Sequence, residues 1–240
     1  MTDSSAALLL KDVSKVFKAR KSYPGKLFSI PTEVVGLRDV SLRVGRGESV
    51  GLIGENGSGK TTLLKIMSGA LTPSSGRVMA PFKPRLISLS GLQLPNLSVL
   101  ENTQLMLRAH GRDAREATFE ALELIELAEL QEKTNLKYNT LSTGMRARLG
   151  FYLATINRPE ILLMDEMLSV TDKRFETSAF FRISSMIENA QGVVLASHSE
   201  KTIKRFCQRV IVLRSGRIVF DGPTNEGFDE YRDAKESDQS

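Results

Sequence analysis

This 240-residue chain reads as an α/β protein built on a parallel sheet, with an all-helical insertion in its middle. Three features point there. The short runs Val50–Ile53, Ile161–Met164, Val193–Ala196 and Val210–Leu213 have the near-continuous apolar character of strands covered on both faces. Between Ser98 and Asn157 strand signals vanish, and Leu100, Leu105, Leu107, Phe119, Leu122, Leu124, Ile125 and Leu127 recur at helical spacing with charges between them. A glycine-rich stretch, Gly54–Thr61, joins the Val50–Ile53 strand to a helix over Thr62–Met67 that contains neither Gly nor Pro.

The remaining elements follow in order. Leu8–Leu10 and the alternating Val40, Leu42 and Val44 are strands, and Arg20–Pro31, with Pro24-Gly25 as its turn signal, is expected to be an irregular loop. Thr72–Gly76 closes the helical unit, and Val78-Met79 and Leu86–Leu89 are short strand candidates. Arg146–Ala154 is a helix stopped by Asn157-Arg158-Pro159. Arg214–Arg217 is a hairpin turn into Ile218–Phe220, and the polar, acidic residues from Asp229 onward are expected to fray.

Composition removes several classes. Apolar residues make up 41% of the chain, enough for a core, and no run approaches the roughly 18–20 residues that span a bilayer. The start, Met1–Ser5, lacks the basic flank and cleavage site of a secretory signal, and one cysteine, Cys207, forms no internal disulfide. A reducing cytosol is the expected compartment, with Cys207 a buried small hydrophobe. The net charge of +5, concentrated in Lys11, Lys15, Lys18, Arg20, Lys21 and Lys26, fits a solvated face or a weak preference for an anionic membrane surface. No clustered basic–aromatic stripe argues for nucleic acid, and none is expected as a partner.

The segment Gly54-Glu55-Asn56-Gly57-Ser58-Gly59-Lys60-Thr61 fits the phosphate-binding pattern G-x-x-x-x-G-K-[ST] in the strand-to-helix context that pattern requires. Its glycines let backbone N–H groups turn inward toward phosphate oxygens, and the following helix adds its positive end. Gly54, Asn56, Gly57, Ser58, Gly59, Lys60, Thr61 and Thr62 are therefore candidate contacts to ATP, with Lys60 at the β- and γ-phosphates and Thr61 on Mg²⁺. Asp165-Glu166 ends the Ile161–Met164 strand; alone it is an ordinary strand end, but beside the phosphate loop Asp165 would hold Mg²⁺ and Glu166 would polarise the attacking water. Ser142 and Gly144 open the Arg146–Ala154 helix with small residues and free N–H groups; alone they form a capped helix start, and beside the first site they form a second anion cradle.

Taken in order, Gly54–Thr61, Leu141-Ser142-Thr143-Gly144, Asp165-Glu166 and Ser197-His198-Ser199 resemble the nucleotide-binding subunit of an ABC transporter over nearly the whole chain. The resemblance implies a P-loop NTPase parallel-sheet core with an antiparallel β subdomain (residues 1–90 and 159–228), an inserted helical subdomain (91–158) and a polar tail (229–240). It makes Ser142 and Gly144 the groups that reach the γ-phosphate across a head-to-tail homodimer, Asp172 the D-loop aspartate and His198 the switch histidine. Phe17 matches the aromatic that stacks on adenine, with Tyr23 as substitute, while His110 matches no motif and is expected on a helix surface.

Two segments depart from the family. The signature Leu-Ser-Gly-Gly-Gln reads Leu-Ser-Thr-Gly-Met here, and the Q-loop region, Leu86–Asn96, carries its glutamine displaced at Gln93, the remaining candidate Mg²⁺ ligand. The same departures, with Arg148-Leu149-Gly150-Phe151 and Asp165–Phe175, are similar to exporters of bacterial capsule, O-antigen or teichoic acid. The resemblance implies ATP hydrolysis on the cytoplasmic side of the plasma membrane, a separate transmembrane permease and a lipid-linked polysaccharide as cargo. A carbohydrate-binding C-terminal domain is not expected, so the capsule type fits best. Small-solute transport, or ATPase work on nucleic acid or ribosomes, are the alternatives.

Overall fold

The structure, a computed structural model, describes residues 5–21, 30–87, 94–165 and 173–237. Nine strands are described in chain order: β1 (Ala6–Lys21), β2 (Ile30–Gly45), β3 (Glu48–Ile53), β4 (Ser75–Met79), β5 (Arg85–Ile87), β6 (Ile161–Asp165), β7 (Gly192–Ala196), β8 (Arg209–Arg214) and β9 (Arg217–Pro223). The helices are α1 (Lys60–Met67), α2 (Val99–Ala109), α3 (Ala114–Leu127), α4 (Thr143–Ala154), α5 (Lys173–Asn189), α6 (Glu200–Phe206) and α7 (Thr224–Ser237). They fall into two compact units, Met1–Leu86 with Pro159–Glu166 and Met186–Ser240, and Ile87–Arg158 with Met167–Ser185.

In the first unit the larger sheet has the order β5-β6-β7-β3-β8-β9. Strands β6, β7, β3 and β8 run parallel, and β9 returns antiparallel from β8 through the expected hairpin. Ser215 (φ 46°) and Gly216 (φ 78°) both take positive φ, as a two-residue hairpin turn that matches strand twist demands. A second, antiparallel sheet has the order β2-β1-β4. Its inward face, Leu8, Leu10, Val13, Leu37, Val40, Leu42 and Val44, packs in one cluster with Leu63, Leu64 and Met67 of α1 and with Leu52, Leu163, Val194 and Ile211. At roughly 1.5–3 kcal/mol for each large side chain removed from water, this cluster is the main source of the unit's stability.

Arg20 and Pro31 are strand residues, because β1 and β2 pair out to Lys21↔Ile30; the loop expected over Arg20–Pro31 therefore fails at both ends. Residues 229–237 do not fray but form the second half of α7, which ends at Ser237. Thr224 anchors that helix: its N–H donates to the Gln208 carbonyl at 3.1 Å and its hydroxyl to the Cys207 carbonyl at 2.8 Å. Cys207 is buried as expected, and burial pushes its thiol up to about 12.

The second unit is helical. α2 and α3 both start with complete capping boxes, Ser98 with Glu101 and Asp113 with Glu116. The buried stripe of α3 is Ala117, Ala121, Leu124 and Ile125, whereas Phe119, Leu122 and Leu127 face solvent despite their helical spacing. Phe175 near the start of α5 meets Phe151 and Tyr152 of α4 edge-on, with ring centroids 5.2 and 5.8 Å away. His110 caps α2, its ring Nδ1 2.7 Å from the Met106 carbonyl oxygen.

Candidate active site

The site begins where β3 ends. A Cβ on Gly54 would collide with the Leu213 carbonyl oxygen and lie 2.7 Å from Ser58 Oγ, so the loop closes on β8 only with glycine there. Gly59 precedes α1 with φ 110°, and a Cβ on it would lie 2.8 Å from the Gly36 carbonyl oxygen. No side chain caps α1, which leaves its first N–H groups for a ligand. The loop is tied down from outside: the Gly216 N–H donates to the Ser58 carbonyl at 2.9 Å, and the Arg38 N–H donates to the Gly216 carbonyl at 2.7 Å. The β8–β9 hairpin thus joins the loop to β2.

Lys60 is buried, and its ammonium donates to the Gly54 and Glu55 carbonyls at 2.7 and 3.0 Å. A buried cation is tolerated only with such partners, and the arrangement holds positive charge under the loop. Thr61 Oγ1 donates to Asp165 Oδ2 at 2.8 Å, bringing the hydroxyl and carboxylate of two elements together. Two hard oxygen donors beside a phosphate-binding loop suit Mg²⁺. Ser58 Oγ is buried without a hydrogen-bond partner among the described residues.

These groups floor a cavity of about 490 Å³, which Asn56, Gly57, Gly59, Lys60, Thr61, Thr62 and Asp165 line on the polar side. Phe17, Val34, Val35 and Gly36 form its apolar wall. The wall arises from a register shift: Lys15 pairs with Leu37 but Val16 with Val35, leaving Gly36 as an extra residue in β2. Phe17 then pairs with Val34, and Lys15 Nζ stands 5.4 Å from the Phe17 ring centroid. Phe17, Val34 and Val35 are all exposed and lie together, an apolar patch of the kind that marks a ligand-binding groove. The two valines escaped the sequence reading, although the β-branched pair before Gly36 is a visible break in alternation.

In the second unit, Ser142 is the N-cap of α4 and accepts from the Met145 N–H at 3.3 Å. Gly144 is exposed, and a Cβ there would meet nothing within 4 Å. Glu166, Asp172, Gln93 and Tyr23 lie outside the described residues. The chain after Gln93 is fixed by Asn102, a buried residue the sequence reading missed. Its side chain accepts from the Leu94 N–H at 2.8 Å and donates to the Leu94, Leu97 and Ser98 carbonyls. His198, in the first unit, is exposed just before Ser199, the N-cap of α6.

Among the described residues, no helix is long and apolar enough to cross a membrane. The family model described as "ABC transporter" matches residues 37–169. Teichoic acids export ATP-binding protein TagH of Listeria monocytogenes serotype 4b is 37% identical over 196 residues, covering 81% of this chain and 58% of that protein. O-antigen export system ATP-binding protein RfbB of Myxococcus xanthus is 31% identical over 251 residues, covering 98% and 57%. RfbE of Yersinia enterocolitica, also named for O-antigen export, is 38% identical over 186 residues, covering 77% and 78%. The chain thus spans little more than half the length of TagH and RfbB. Among solved structures, the ATP-binding cassette MJ0796, in a dimeric post-hydrolysis state bound to ADP and Pi, superposes with a TM-score of 0.70 at 25% identity, over 90% of this chain and 98% of that one. The loop, its helix and the strand that ends at Asp165 all fall inside the matched span, and this chain belongs to the ABC transporter family.

Proposed function

We propose that this protein is the ATP-hydrolysing subunit of an exporter of cell-surface polysaccharide, dimeric around ATP and docked on a separate membrane permease. The observation that carries the nucleotide reading is the cavity itself: a buried lysine and a Thr61–Asp165 pair on one side, an exposed apolar wall on the other. In this reading Phe17 and Val34 take the adenine, the loop N–H groups and Lys60 take the phosphates, and Thr61 and Asp165 hold Mg²⁺ with Gln93 as a further candidate. The metal would neutralise phosphate charge. Glu166 orients water and accepts its proton, His198 touches the γ-phosphate, and Ser142, Gly144 and Asp172 complete the site in the second copy. Residues 1–90 with 159–228 form the nucleotide-binding core, and 91–158 form the helical subdomain that docks on the permease. Export is supported by the names of the TagH, RfbB and RfbE relatives, and it sets the subunit on the cytoplasmic face of the plasma membrane, with a lipid-linked polysaccharide moving through the permease.

Thermal unfolding with and without Mg·ATP tests the site. Ligand at a hundredfold excess over Kd stabilises the wild type by about 2.7 kcal/mol. Lys60→Ala should lose most of that shift, and an unchanged shift would put the nucleotide elsewhere. Glu166→Gln should bind ATP normally and lose roughly 10²–10⁴ in turnover. In membranes containing the permease, ATPase stimulation by a lipid-linked glycan tests the cargo, and stimulation by small solutes alone would overturn it.

A further inference from the structure

Helix α6 begins two residues after His198, and α7 clasps it along its whole length. At the far end, the Thr224 hydroxyl donates to the carbonyl of Cys207, the C-cap of α6. In the middle, Lys204 Nζ stands 5.9 Å from the ring centroid of buried Phe228. At the near end, Arg232 NH1 lies 3.7 Å from Glu200 Oε2, while Lys204 holds the other oxygen of Glu200 at 2.7 Å. Phe228, Tyr231 and Arg232 fall at helical spacing on one face of α7. Gly227 brings that helix so close to β8 that any Cβ would collide with Val210. One helix therefore packs on β8 and reaches both ends of α6.

We propose that α7 braces the His198 segment against β8, with Arg232 and Glu200 as positioning residues for ATP hydrolysis. The inference rests on the proposed role of His198 at the γ-phosphate. Ser199 caps α6 by accepting from the Thr202 N–H at 3.2 Å, and its own N–H donates to Ser197 Oγ at 3.1 Å. The turn carrying His198 is therefore continuous with the first turn of α6, and a shift of Glu200 moves the histidine. Lys204 and Phe228 keep α6 in place when the Arg232 contact is altered, so the fold survives while the near end loosens.

The test is Arg232→Glu in the full chain, which sets a carboxylate against Glu200 and Asp229. The chain has two histidines, His110 and His198, so ring resonances report each directly. We expect the His198 ring signal to move and that of His110, in the helical unit, to stay. Because an ion pair this exposed is weak, we expect kcat for ATP to fall by no more than about fivefold, with the nucleotide Kd unchanged. Arg232→Lys, which keeps the charge, should match wild type in both measurements. An unmoved His198 signal, or an unchanged kcat, overturns the brace. The ring signals need no nucleotide, so they remain readable if His198→Ala proves fully active and the role assigned to that histidine falls.

Discussion

The phosphate loop and the start of α4 are built with the same devices, yet the protein's own atoms demand glycine only in the first. At Gly54 and Gly59 an added Cβ would run into Leu213, Ser58 and Gly36, and Gly59 needs positive φ. At Gly144 the backbone is helical and an added Cβ meets nothing. The loop glycines are explained by one copy of the chain. Among the described residues nothing explains Gly144, the position that the proposed function gives to the partner copy's nucleotide. Each segment uses its serine differently: among the described residues Ser58 is buried with no hydrogen-bond partner for its hydroxyl, whereas Ser142 spends its hydroxyl on a cap.

The contrast breaks down if substitutions at the two places behave alike. Gly54→Ala should be the most damaging, since overpacking and backbone strain each cost about 1–3 kcal/mol; urea unfolding should show a loss of that combined size, or no folded protein. Ser142→Ala removes a cap and should lower stability by about 1 kcal/mol, measured in the same way. Gly144→Ala should have the smallest effect and the opposite sign. A glycine inside a helix with open space around it gains about 0.4–1 kcal/mol on conversion to alanine, so the midpoint of unfolding should rise. A fall there would mean that the single copy does need the glycine.

Much of this was legible in the sequence because local rules decided it. The parallel strands are covered on both faces, so their apolar runs stand out, and Gly54–Thr61 is a contiguous pattern. The cavity's apolar wall was harder to see, since it depends on a bulge at Gly36 that forms only when β1 and β2 pair. The long arms of those strands were hidden for a related reason: Lys18, Arg20 and Lys21, with Pro24-Gly25 beyond them, look like a loop until the partner strand is known. The polar tail misled in the same way, because α7 is anchored by Thr224, Gly227 and Phe228, which all precede Asp229. Asn102 was invisible because a buried asparagine is recognised by its four backbone partners and not by its neighbours in sequence.

The two-copy site is tested most directly by sedimentation of Glu166→Gln in Mg·ATP, with and without Gly144→Asp. ATP should join two copies, because its triphosphate charge is shared between one copy's phosphate loop and the other's α4 start. Gly144→Asp has room within its own chain, so the fold and the ligand-induced thermal shift should survive, while its carboxylate repels the partner's γ-phosphate. Glu166→Gln alone should sediment as a dimer, and as a monomer once Gly144→Asp is added. Dimers that persist in the double variant would contradict the two-copy site and leave Ser142 as a helix cap only.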